Sequence, residues 1–119
     1  MDDDRLFRLA EALEIPVFKN VDTITCKYPF ISNNYYYPSN RDKPFRFSIL
    51  GPYAGNTAMV VEELLLRHDY EVSSFSGKNG TGGYSSEVKI TDANLCWSAV
   101  EKDRTMALVE AACKALGVD

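Results

Sequence analysis

Apolar residues recur at helical spacing in three segments of the chain. In the first, Leu6, Leu9 and Leu13 follow three aspartates that suit a helix start, and Pro16 ends the helix. The second segment covers residues 56–69, with Asn56 as the predicted N-cap, and the third covers residues 103–117. Gly117 is the predicted stop of the third helix, because glycine readily adopts the left-handed conformation that ends helices.

Between these helices, apolar and polar residues alternate in short runs that predict β-strands. The runs are residues 20–28, 44–50, 70–75, 84–90 and 95–100. The resulting order is helix, one or two strands, helix, two or three strands, helix. This order predicts an α+β protein with a small, mostly antiparallel sheet covered by helices.

A glycine-rich stretch, FSGKNGTGGYSSE, lies between two of the predicted strands. A phosphate-binding loop of the P-loop type must lead into a helix, and here Lys78 is followed by Asn79 rather than Ser or Thr. The stretch is therefore predicted to be the turn of a β-hairpin. Lys78 at its tip remains a candidate ligand contact.

Composition bounds the function classes. The 119 residues suit a single domain, 1–119, with an N-terminal helix in 1–16 and an irregular tyrosine-rich loop in 29–44. The net charge of −4 argues against binding bulk nucleic acid. The start of the chain is acidic where a signal peptide would be basic, and no apolar run is long enough for a membrane span. We therefore expect a cytosolic protein.

The three cysteines, Cys26, Cys96 and Cys113, are far apart in the sequence. Their odd number and wide spacing exclude a disulfide framework and a CxxC metal site. They are expected to be small buried hydrophobic residues, and no cofactor or metal is expected.

The strongest candidate for a binding site is the segment NNYYYPSNRDKPFR, residues 33–46. Aromatic rings stack on bases and basic side chains hold phosphates, so this composition suits a nucleotide-sized anion. The open alternative is a surface loop whose tyrosines pack on the sheet or on another subunit. Together with Lys78, the candidate ligand-binding residues are Tyr35, Tyr36, Tyr37, Arg41, Lys43 and Arg46.

Residues 52–117 resemble small phage proteins of the ABA-sandwich family. The resemblance lies in PYAGNTAMVVEELLLRHDYEV and SAVEKDRTMALVEAACKAL, at Pro52, Tyr53, Asn56, Ala58, Val61, Glu62, Ala107, Ala111, Ala112 and Leu116. The family often has Ser after the tyrosine where Ala54 stands here, so the helix cap must come from Asn56 or Thr57. The resemblance implies an α/β/α sandwich and a phage or prophage origin, and it implies no reaction.

Together with the phage or prophage origin that the resemblance implies, these observations predict a non-enzymatic binding module in the host cytosol that forms a homo-oligomer. By analogy with other small phage proteins, its ligand is expected to be a small nucleotide-type signal of host defence, which it would sequester. Two alternatives stay open: an inhibitor of a host protein, and a small phosphodiesterase or lyase. The latter would use His68, the only histidine.

Overall fold

The computed structural model describes residues 3–21, 23–26, 45–78, 80 and 82–119. These residues form three helices and six strands, all paired antiparallel, which confirms the α+β class. In chain order the elements are α1 (Asp3–Ala12), β1 (Val17–Lys19), β2 (Ile24–Cys26), β3 (Phe45–Arg46), α2 (Ala54–Arg67), β4 (Glu71–Lys78), β5 (Tyr84–Asp92), β6 (Leu95–Glu101) and α3 (Arg104–Leu116).

The described strands divide between two sheets, in the orders β1-β2-β3 and β4-β5-β6. Each strand pairs with its neighbour in the sequence, and α2 separates the two groups along the chain. The sequence patterns had suggested one small sheet, because alternation identifies a strand but not its partner. The first sheet is short: β1 was not predicted, and β3 covers only two residues of the predicted 44–50 strand.

One hydrophobic cluster joins both sheets and all three helices. The buried faces of β2 and β5 contribute Ile24, Cys26, Val88 and Ile90. In α3 the buried residues include several alanines, whose small side chains let neighbouring elements approach closely. An ion pair also links α1 and α3, since Arg5 Nη1 in α1 donates to both carboxylate oxygens of Glu110 in α3 at 2.9 Å.

Two helix ends differ from their predictions. The first helix ends at Ala12, before Pro16, and α2 begins at Ala54 with Tyr53 in the N-cap position and no side-chain capping bond. The prediction that Asn56 or Thr57 caps α2 is therefore wrong, because both lie inside its first turn. The third helix does end as predicted, with Gly117 in the left-handed conformation at φ 69°.

The glycine-rich stretch is a hairpin connection, as predicted. Strands β4 and β5 pair from Glu71↔Thr91 to Lys78↔Tyr84, so Gly80, Gly82 and Gly83 lie in the connection between the two strands and Gly77 lies in β4. No helix within the described part of the chain is long and apolar enough to cross a membrane.

The cysteine prediction holds at two of its three positions. Cys26 and Cys113 are buried, and burial raises the pKa of the Cys113 thiol to about 11. Cys96 is exposed, so its predicted burial is wrong. Its side chain lies on the face of β6 that points away from the helices, which alternation alone could not orient.

Candidate ligand-binding site

Most of the predicted binding residues lie outside the described residues: Tyr35, Tyr36, Tyr37, Arg41 and Lys43. Arg46 and Lys78 are described, and both are exposed. They line two separate depressions with no lining residue in common. The structure therefore does not bring these two cations to one site.

Arg46 lies in a surface depression of about 550 Å³ between β3 and the start of α2. The lining residues are Asp3, Arg46, Ser48, Leu50, Gly51, Pro52 and Tyr53. The chain turns sharply at Gly51, whose φ of 79° favours glycine, and the Ala54 N–H then donates to the Gly51 carbonyl at 3.3 Å. This turn places the loop and the N-terminus of α2 on the same side as Arg46.

Buried and half-buried hydroxyls hold the loop in place. The Ser48 N–H donates to Oγ1 of Thr57 at 3.0 Å, and the Thr57 side chain is fully buried in the first turn of α2. The Leu50 N–H donates to Oγ of Ser48 at 3.1 Å. The Thr57 hydroxyl therefore binds the loop before α2 and, contrary to the prediction, does not cap its own helix.

Tyr53 gives the depression an aromatic wall. Its ring stacks on the buried ring of Phe45, with centroids 6.4 Å apart and an interplanar angle of 29°. The tyrosine is nevertheless 44% exposed. A ring that is supported on one side and open on the other can stack on a planar ligand without losing much conformational freedom.

The electrostatics of the depression favour an anion next to Arg46. The N-terminus of α2 lies beside it, and the first turn of this helix has no acidic residue and no side-chain cap. The partial positive charge of the helix end therefore adds to that of the Arg46 guanidinium. Asp3, in the same lining, opposes an anion at its own side, so the part of the depression between Arg46 and the start of α2 is the most favourable for an anion.

Sequence reasoning missed the contributions of Ser48, Gly51 and Tyr53 to this site. The available signal was the Gly51-Pro52 pair just before a helix with no good capping residue in front of it. Such a pair marks a tight turn at a helix N-terminus, where anions bind. Tyr53 had been noted only for the family resemblance.

Lys78 lines a smaller depression, of about 270 Å³, on the second sheet. Its other lining residues are Phe75, Gly77, Ser85, Glu87 and Val100. The carboxylate of Glu87 lowers the attraction of this depression for a phosphate. Each depression therefore has one cation and one carboxylate in its lining, and the Arg46 depression is the stronger candidate for an anion only because the N-terminus of α2 also lies beside it.

His68 follows the last residue of α2, at the surface. Its Nε2 atom lies 4.0 Å from Oε2 of Glu14, whose side chain is 82% exposed. A general base works in a pocket with an oriented partner, and an exposed pair of this kind does not provide one. Among the described residues, no cluster of three or more His, Cys, Asp or Glu side chains could hold a metal ion.

Comparisons of this chain with protein families, with curated proteins and with solved structures find no match.

Proposed function

We propose that this protein is a non-enzymatic binding module that holds a small nucleotide-type ligand in the depression at Arg46. One observation carries the proposal: a guanidinium, an open aromatic ring and an uncapped helix N-terminus share one depression. Its volume of about 550 Å³ lies within the usual range for small-molecule sites, roughly 300–1,000 Å³.

Each part of such a ligand has a matching partner. Arg46 binds a phosphate with two parallel hydrogen bonds, since its planar guanidinium matches two phosphate oxygens. The Tyr53 ring stacks on the base, as aromatic side chains do in single-stranded nucleic-acid binders. The Ser48 hydroxyl, which lines the same depression, accepts from Leu50 and keeps its proton to donate to the ligand.

The biological role that we propose is sequestration of a nucleotide signal of host defence in the host cytosol, by a protein of phage or prophage origin. The resemblance of residues 52–117 to phage ABA-sandwich proteins supports the phage or prophage origin, and the sequestering role is proposed by analogy with other small phage proteins. The tyrosine-rich segment enters the proposal through its composition alone, because most of it lies outside the described residues. On that basis Tyr35, Tyr36, Tyr37, Arg41 and Lys43 are proposed as further ligand contacts.

Isothermal titration calorimetry against a panel of linear and cyclic nucleotide messengers tests the proposal. We expect at least one nucleotide to bind, and Arg46→Ala to weaken that binding by roughly 10- to 100-fold, the effect of losing hydrogen bonds to a charged group. Tyr53→Ala is expected to weaken nucleotide binding while leaving the response to inorganic phosphate unchanged. The nucleoside without phosphate and inorganic phosphate are titrated separately, so that the contacts to the base and to the phosphate are measured apart.

Lys78→Ala is the matched control, because it removes an exposed cation from the separate depression on the second sheet. We expect this variant to bind the nucleotide as the wild type does. No heat with any nucleotide, or equal losses in Arg46→Ala and Lys78→Ala, would contradict the proposal. Product formation that disappears in His68→Ala would instead support the enzyme alternative, and a nucleotide-independent host protein complex would support the inhibitor alternative.

A further inference from the structure

The second sheet has a well-defined outer face. Alternation along β5 places Ser86, Val88 and Ile90 in the buried layer, so Glu87 and Lys89 point to the opposite side. Through the strand pairing, the same face carries Glu71, Ser73, Phe75 and Gly77 from β4 and Cys96, Ser98 and Val100 from β6. Phe75 is 73% exposed and Val100 is 56% exposed, so two large apolar side chains stand on the outer face, one on each edge strand.

Phe75 forms a ridge on this face. Its ring leans along β4 over Gly77, and its Cε1 atom lies 3.4 Å from where a Cβ of that glycine would be. Beside the ridge, on the side away from Gly77, is a hollow of about 400 Å³ lined by Ser73, Ser74, Phe75, Glu87 and Lys89. The small serines leave room there, so a projecting ring and a space for a ring lie next to each other.

The charges on the face are arranged in two neighbouring rows across the strands. One row is Phe75, Glu87 and Val100, and the next is Ser73, Lys89 and Ser98. Glu87 is the central residue of the first row and Lys89 of the second, and Lys89 Nζ lies 3.6 Å from Glu87 Oε1. The face is therefore negative in one row and positive in the row beside it.

We propose that this outer face binds a second copy of the chain, about a two-fold axis that runs across the strands between the two rows. This operation lays each row on the other row of the second copy. Glu87 then faces Lys89 of the second copy, and Lys89 faces its Glu87. Phe75 of each copy then lies over the row of Ser73 in the other copy, and the contact is self-complementary in charge.

The charges also select this axis over the other simple one. A two-fold axis parallel to the strands would lay each row on its own counterpart. Glu87 would then face Glu87 and Lys89 would face Lys89, and like charges at close range are unfavourable. When two of these sheets pack face to face, about 10 Å apart, only the axis across the strands, of these two, pairs opposite charges.

The size of the face predicts a weak dimer. Three strands spaced by about 4.8 Å, with about seven residues each rising about 3.3 Å, cover roughly 300 Å² per copy. Stable specific complexes bury about 800 Å² per partner, so association is expected in the range of weak, reversible contacts. This proposal is independent of the ligand site at Arg46, which lies on the first sheet.

Sedimentation velocity of the full chain, from about 10 μM to about 1 mM, tests the proposal. We expect the wild type to move from monomer to dimer over this range. Glu87→Lys and Lys89→Glu alone are each expected to weaken the dimer by roughly tenfold or more, because each places two like-charge pairs across the interface. The combined exchange, Glu87→Lys with Lys89→Glu, restores opposite pairs and is expected to restore dimerisation.

Glu11→Lys is the matched control for the charge reversals, since Glu11 is an exposed residue of α1 and lies outside the second sheet. Circular dichroism melting verifies that every variant is folded. Phe75→Ala provides a second route to the same answer, because it removes the ridge without changing charge, and is expected to weaken the dimer. The proposal is overturned if the wild type stays monomeric at about 1 mM, or if a dimer forms equally well with Glu87→Lys alone.

Discussion

The loop that lines the Arg46 depression depends on one buried hydroxyl, and Thr57→Val removes it. Thr57 is fully buried, and its Oγ1 accepts the Ser48 N–H at 3.0 Å. Valine has nearly the same shape but no acceptor, so the variant leaves the Ser48 N–H without this partner. The change therefore isolates the hydrogen bond from the packing of the side chain.

The expected cost is about 1–2 kcal/mol in the free energy of unfolding. Leaving a buried donor unsatisfied costs about 1–3 kcal/mol, and the lower part of this range applies because Ser48 is only half-buried. For a chain of this length, the melting temperature should fall by roughly 5 °C. Urea unfolding monitored by tryptophan fluorescence measures the free energy, since Trp97 packs against the core.

Thr57→Ser is the matched control, because it keeps the acceptor and removes a methyl group. Thr57→Ser should lower the free energy of unfolding by about 1 kcal/mol, because a buried methyl group is lost. This loss is close to the one expected for Thr57→Val, so stability alone does not separate the two variants. Amide hydrogen exchange separates them. The Ser48 amide should exchange roughly 5- to 30-fold faster in Thr57→Val, the factor that matches 1–2 kcal/mol, and remain protected in Thr57→Ser.

Equal exchange of the Ser48 amide in the wild type and in Thr57→Val would refute this reasoning. It would mean that the bond from Ser48 to Thr57 does not hold the loop in solution. Nucleotide binding provides a further readout, since a loosened loop should weaken binding in Thr57→Val and leave it near the wild-type value in Thr57→Ser.

Two further predictions concern the cysteines and the ion pair between α1 and α3. At pH 8 an aromatic disulfide reagent should label Cys96 rapidly in the folded protein, whereas Cys26 and Cys113 should react only after unfolding, because both are buried and the pKa of Cys113 is raised to about 11. Fast labelling of Cys113 in the folded chain would contradict its burial. A double-mutant cycle with Arg5→Met and Glu110→Gln should give a coupling energy of about 1–2 kcal/mol, because this pair is mostly shielded from water, with 23% and 19% of the two side chains exposed. A coupling near zero would show that the pair contributes no more than an exposed one.

Local patterns were sufficient for the helices, the hairpin and the fold class. The third helix begins after Asp103, whose side chain accepts the Met106 N–H at 2.8 Å, and ends at Gly117. Both ends follow from residues within one turn of the helix, and so does the hairpin between β4 and β5. The predicted α+β class follows from the order of these elements and does not depend on how the strands pair.

The candidate site was predictable only in part. Arg46 was predicted from residues 33–46, a segment rich in tyrosines and basic residues. Its aromatic neighbour Tyr53, however, belongs to the loop before α2. The two residues line one depression because Phe45 supports the Tyr53 ring while Thr57 holds Ser48. Lys78 was grouped with Arg46 because both are basic residues in irregular segments, yet the structure places it on the other sheet.

The sequence by itself determined which segments are helices, where the third one ends and which faces are apolar. These features depend on residues a few positions apart, whose side-chain periodicity and backbone preferences act locally. Only the tertiary structure decided that the strands form two sheets, that α2 starts at Ala54 without a side-chain cap, and that Cys96 is exposed. Those outcomes depend on which surfaces pack together, because a period-two pattern distinguishes the two faces of a strand but does not say which elements will cover them.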